Sequence, residues 1–146
     1  MEKSFGIDLE WSTAHGAGKI ATTCGGVVFS EFVQSIAGRG ELNPENLLLA
    51  AAASSYGIAL ADLLRNGSLP STRVIVHADG FMASERGKPC VTRVMLRPTI
   101  LGAHIPRQNA YKKAAIAARD ECIVGRSIRG NVAFGVGDVM IAGSTN

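Results

Sequence analysis

The chain has 146 residues, of which 47% are hydrophobic and 18% charged, with a net charge of +3. That is one domain's length, residues 1–146, and its composition excludes a disordered chain. Lys and Arg are scattered, with only Lys112/Lys113 and Arg126/Arg129 close together. No nucleic-acid partner is therefore expected, because such proteins cluster their charge.

The opening "MEKSFGIDLEW" has no apolar signal region. Three cysteines, Cys24, Cys90 and Cys122, are widely spaced and odd in number. They make no disulfide framework and point to a reducing, cytoplasmic setting.

Residues 3–34 read as an antiparallel meander, rich in β-branched residues and punctuated by glycine. "AGRGELNPE" at 37–45 reads as a loop that ends in helix-start signals. Asn43 caps, Pro44 takes the first helical position and Glu45 lies in the first turn. The helix should stop at Asn66-Gly67, a C-terminal signature. Its apolar run, Leu47 to Leu64, is long enough to suggest a membrane span. Ser54, Ser55, Gly57 and Asp62 lie inside that run, so burial in a core or a dimer interface is expected instead, with no membrane partner.

"TRVIVHADGFM" (72–82) alternates Val74, Val76 and Ala78 against Arg73, Ile75, His77 and Asp79. "CVTRVMLRPTI" (90–100) sets Val94 and Leu96 against Arg93 and Arg97. Both read as half-buried strands, joined by a hairpin loop "ASERGKPC". Residues 106–121 form a second helix with a small-residue face of Ala110, Ala114, Ala117 and Ala118, and Cys122 falls at its C-terminal end. "GNVAFGVGDVMI" (130–141) is a last strand. The order βββ-α-ββ-α-β makes an α+β domain.

Chemistry-bearing motifs are sparse. His15, His77 and His104 lack metal-ligand spacing, so no metal site is expected. "GAG" (16–18) and "GVG" (135–137) do not open a helix after a strand, so no phosphate cradle or nucleotide cofactor is expected. "ASSYG" (53–57) is not G-x-S-x-G, and its serines lie within a helix rather than at an elbow. Cys122, taken alone, reads as a buried small hydrophobe, because a helix C-terminus disfavours a thiolate.

Two segments carry a resemblance. "NPENLLLAAAASSYGIAL" (43–60) resembles the N-P-E-E-L-L-x-A-A-x-A-x-C-F signature of the osmotically inducible protein C and organic hydroperoxide resistance (OsmC/Ohr) family. "AARDECIVGRSIRGNVAFGV" (117–136) resembles that family's A-H-x-x-C-P-V-S-x-A-L and its final strand. The resemblance implies an intertwined homodimer of thiol peroxidases with sites at the subunit interface. In that chemistry a first cysteine attacks the peroxide and becomes a sulfenic acid. A second condenses with it to a disulfide, which a dithiol reductant then reopens. A Glu and an Arg activate the first thiolate.

On this chain the match places Glu45 at the glutamate and Cys122 at the second cysteine, with Ile123 and Gly125 replacing the usual Pro and Ser. The first cysteine aligns with Ser55, and Tyr56 takes the place of a following Phe. Arg39 is the candidate arginine, at a spacing that is not the family's. Glu45 and Ser55 are ten residues apart, about 15 Å of rise and about 80° of turn on a straight helix. For Glu45 to serve the site, the helix must break, a partner subunit must supply it, or Arg39 must bridge; otherwise Glu45 is a first-turn carboxylate favoured by the helix dipole.

Ser55 cannot form a sulfenic acid. The first reading is a protein that keeps the fold, the dimer and an apolar pocket for a small hydrophobic ligand without the usual peroxidase reaction. The second is an active hydroperoxide reductase in oxidative-stress defence, using Cys122 with another thiol such as Cys24 or Cys90. The third is ester hydrolysis by Ser55.

Overall fold

In a computed structural model the chain is described at residues 6–13, 17–22, 25–30 and 44–144. It divides into two compact units, Met1–Leu47 and Leu48–Asn146. The first holds an antiparallel sheet of β1 (Asp8–Ser12), β2 (Ala17–Thr22) and β3 (Gly25–Ser30), in the order β1-β2-β3. This is the meander expected from the sequence. Cys24, Arg39, Asn43 and His15 lie outside the described residues.

Helix α1 runs Pro44–Asn66 without a break, as the start and stop signals predict. Its buried residues are Ala52, Tyr56, Leu60 and Leu64, a stripe of i, i+4 spacing that faces one way. The opposite side carries exposed residues: Ile58 is 66% exposed, and Ala50, Ala51 and Ser54 are exposed too. The Ser54 hydroxyl donates to the Ala50 carbonyl at 2.7 Å and so turns its polarity back onto its own helix. α1 is thus a core helix on one face only. By length and composition it is also long and apolar enough to cross a membrane.

The second unit's sheet is built on β5 (Lys88–Ala103), which pairs antiparallel with β4 (Arg73–Glu85). Strand alternation holds: Val94, Leu96 and Ile100 are buried, while Arg93 and Arg97 are exposed. The connection is tighter than expected. Glu85 pairs with Lys88, and Arg86 and Gly87 both have positive φ, 52° and 79°. A two-residue turn of that kind matches the strands' twist, so pairing continues through residues assigned to a loop. A bulge interrupts the ladder: Phe81 faces Arg93 and Met82 faces Val91, leaving Thr92 without an opposite number.

After a 3-10 turn at Ile105–Arg107, α2 spans Gln108–Glu121 and α3 spans Ile123–Ile128. The α2 core face is Tyr111, Ala115 and Ala118, flanked by half-buried Ala110 and Ala114, while Ala117 is exposed. The small-residue face is therefore rotated from the one expected, because Tyr111 takes its centre. The helices carry the chain across to strands parallel with β5, which need such a crossover. The last strand is in fact two: β6 (Ala133–Val136) pairs with Arg93–Leu96, and β7 (Met140–Gly143) pairs further along β5. Gly137-Asp138, turn-forming residues, interrupt it, and Gly137 N–H donates to the Leu96 carbonyl at 2.8 Å.

Three polar side chains, Tyr56, Tyr111 and Arg107, fasten this unit. Tyr56 Oη donates to the Ala115 carbonyl at 2.7 Å, tying α1 to α2 inside the core. Tyr111 Oη donates to the Pro70 carbonyl at 2.6 Å and accepts from His104 N–H at 3.0 Å. Arg107 reaches the Ser68 carbonyl at 2.9 Å, just past the end of α1, where a cation is favoured by the helix dipole. Packing is close at Gly125 of α3, where an added Cβ would lie 2.7 Å from the Phe134 ring of β6.

Tyr56→Phe should cost about 1 kcal/mol, the usual net worth of one such bond. Urea unfolding would measure it, and an unchanged midpoint would remove this bond from the list of fastenings. Gly125→Ala should cost about 1–3 kcal/mol by overpacking against Phe134. The same assay with Gly125→Ala/Phe134→Leu should recover much of the loss.

Candidate functional site

The site lies where α1 passes the α2–α3 junction. α2 stops at Cys122, whose backbone is extended (φ −68°, ψ 118°) and whose N–H closes the helix on the Ala118 carbonyl at 3.0 Å. The same residue starts α3. Its Sγ accepts from Gly125 N–H at 3.3 Å and its carbonyl accepts from Arg126 N–H at 2.9 Å. Cys122 therefore closes one helix and caps the next. This corrects the placement of the thiol at a helix C-terminus alone: an N-terminus, with its free N–H groups, faces the sulfur as well. The thiol is fully buried, as expected of a small hydrophobe.

Ser55, half-buried on α1, meets this junction. Its Oγ lies 3.2 Å from Cys122 Sγ, accepting from the thiol, and 3.2 Å from the N–H of Val124, which donates to it. Oxygen and sulfur thus stand in direct contact, each receiving one backbone N–H from the first turn of α3. A sulfur at position 55 would stand beside Sγ, whereas an oxygen there closes no disulfide. Beside Ser55, the hydroxyl of Tyr56 is held well above its ordinary pKa, by burial first and by Cys122 second. It stays a neutral donor.

Of the four residues singled out from the sequence, Ser55 and Cys122 come together. Glu45 lies half-buried in the first turn of α1, within the first unit, and Arg39 lies outside the described residues. Because α1 is unbroken, a helix break between Glu45 and Ser55 is not the route by which Glu45 could serve the site. Cys90 is a free thiol on β5, its Sγ 3.7 Å from the Ala83 carbonyl across the hairpin. His77 and His104 are exposed. Among the described residues, no group of three His, Cys, Asp or Glu could hold a metal ion.

The backbone donors of Val124 and Gly125 were not legible from the sequence. Cysteine is not a usual cap, and a six-residue helix holding a glycine has little propensity of its own. The available signal was "CIVG", a potential cap followed three residues later by a residue able to approach it closely.

Sequence and structure comparisons bear on the fold and the family. Uncharacterized protein YmaD of Bacillus subtilis is 29% identical over 99 residues, a match that spans 65% of this chain and 66% of that protein. An OsmC-like protein of unknown function from Vibrio cholerae superposes with a TM-score of 0.81 at 17% identity, covering 95% of this chain and 100% of that one. An organic hydroperoxide resistance protein from Elizabethkingia anophelis gives 0.69 at 19% identity, over 99% and 100%. OhrB of Bacillus subtilis gives 0.66 at 20% identity, over 92% and 98%. The fold is thus OsmC-like. The family model for OsmC-like proteins matches residues 37–136, a stretch that includes both Ser55 and Cys122, and the chain belongs to that family.

Proposed function

We propose that this chain is a divergent OsmC/Ohr-type protein that keeps the architecture of a hydroperoxide-reducing site but does not run the two-cysteine reaction. It acts as a cytoplasmic homodimer that holds a small hydrophobic ligand beside Ser55. The observation that carries this reading is the 3.2 Å contact between Ser55 Oγ and Cys122 Sγ. A serine hydroxyl stays protonated near neutral pH and takes up no oxygen from a peroxide. The apolar surroundings support a hydrophobic ligand: Ile58, one turn beyond Ser55, is 66% exposed, and Ile123, next to Cys122, is 75% exposed. The exposed face of α1, with Ala50, Ala51 and Ile58, supports a second copy as its cover. Glu45 and Arg39 then serve the site from the partner subunit, a route that an unbroken α1 leaves open.

A second reading is favoured by the Gly125 N–H on Cys122 Sγ. Here Cys122 itself reduces an organic hydroperoxide. The thiolate attacks the O–O bond, giving a sulfenate and an alcohol. An external dithiol returns the thiol, giving water and its own disulfide. Hydrolysis by Ser55 has less support, since its hydrogen bonds run to Cys122 and Val124, neither of them a general base.

The purified protein should not consume cumene or tert-butyl hydroperoxide with dithiothreitol or a lipoyl reductant. Turnover well above the reductant alone would move the conclusion to the second reading, and Cys122→Ser should then abolish it. Ser55→Cys should create peroxidase activity and a disulfide to Cys122 visible by mass spectrometry. Continued inactivity, with the two thiols unpaired, would mean that the site has lost more than its sulfur.

A further inference from the structure

A cleft lies apart from Ser55 and Cys122, between the end of α2, the residues after α3, and the start of β6. Its volume is about 560 Å³, and it is lined in part by Arg119, Arg129, Asn131, Val132 and Phe134. That size lies in the range of small-molecule sites. Phe134 is the partition between the two places, since its ring packs on Gly125, the residue that donates to Cys122.

The charges in this cleft are unbalanced. Arg129 donates to Asp120 Oδ1 at 2.6 Å, and Arg119 donates to the same oxygen at 3.3 Å. Two cations are thus drawn to one carboxylate, which leaves one positive charge over. Each guanidinium has five N–H donors in a planar fork, and a single shared oxygen occupies only one from each. Asp120 is held below the ordinary carboxylate range by these two hydrogen bonds, so it keeps its negative charge while the arginines hold it. The rest of the lining is mixed: Val132, Ala133 and Phe134 form an apolar strip, with Thr92 and Asn131 as polar neighbours. One surplus positive charge on planar forks beside an apolar strip suits an anion with a planar head and a short apolar body.

We propose that this cleft binds a small monocarboxylate, its head group bridging Arg119 and Arg129 and its body lying along Val132 and Phe134. The site is separate from the one at Ser55 and does not depend on any peroxidase reaction.

The test is titration of the full-length protein with octanoate, followed by calorimetry and by NMR of backbone amides. Saturable binding is expected, with shifts at Asn131 and Phe134, and with octanol and octylamine binding at least about tenfold more weakly. Arg119→Ala/Arg129→Ala should weaken octanoate about tenfold or more, while Asp120→Asn, which removes the competing negative charge, should tighten it. Thermal melts check that the variants remain folded. Octanoate binding that is indifferent to the double arginine variant, shifts confined to residues around Ser55, or tighter binding of octyl phosphate than of octanoate would each overturn the proposal.

Discussion

The structure of the second unit turns on Cys122. One residue in extended conformation ends α2 and begins α3, and its sulfur is held by a backbone N–H from the helix it starts. That arrangement fixes the bend between the helices. The bend in turn presents Val124 N–H to α1 and sends the chain on toward β6. Without it, the first turn of α3 would not face Ser55, and Phe134 would not find Gly125. Burial makes the arrangement specific, because a buried thiol and a buried N–H left without partners would each cost free energy.

The sequence made most of the frame readable. The bounds of α1 followed from Pro44 and from Asn66-Gly67, because capping chemistry is local. β4 and β5 followed from alternation, because each has one buried face. What escaped was set by tertiary contact. The hairpin turn at Arg86-Gly87 is shorter than composition suggests, since "ASERGKPC" contains no buried residue to mark the pairing. α3 escaped because its start rests on a thiol and its packing on an aromatic ring nine residues later. The split of the last strand was hidden in "GVGD", where glycines serve strand and turn alike.

The candidate site was legible in identity but not in geometry. Motif spacing aligned Ser55 and Cys122 with a pair of thiols; only the fold brings their heteroatoms to 3.2 Å. The cleft at Arg119 and Arg129 was invisible for a different reason. Arg119, Asp120 and Arg129 are an ordinary scatter of charge along the chain, and convergence on one carboxylate oxygen depends on the turn that follows α3. Charges gathered by a bend leave no pattern in the sequence.

The bulge at Thr92 divides the β4–β5 hairpin into two parts with different tolerance to changes in chain length. Below it, buried Val94, Leu96 and Ile100 alternate with less buried residues that include exposed Arg93 and Arg97, so a one-residue insertion would turn arginines into the core. Beyond it, residues 81–89 are all exposed, and register rests on the turn and on surface contacts such as Thr92 Oγ1 with the Phe81 carbonyl rather than on a buried face. Length variation among related chains should therefore gather at the hairpin tip, leaving the inner half of the ladder at constant length.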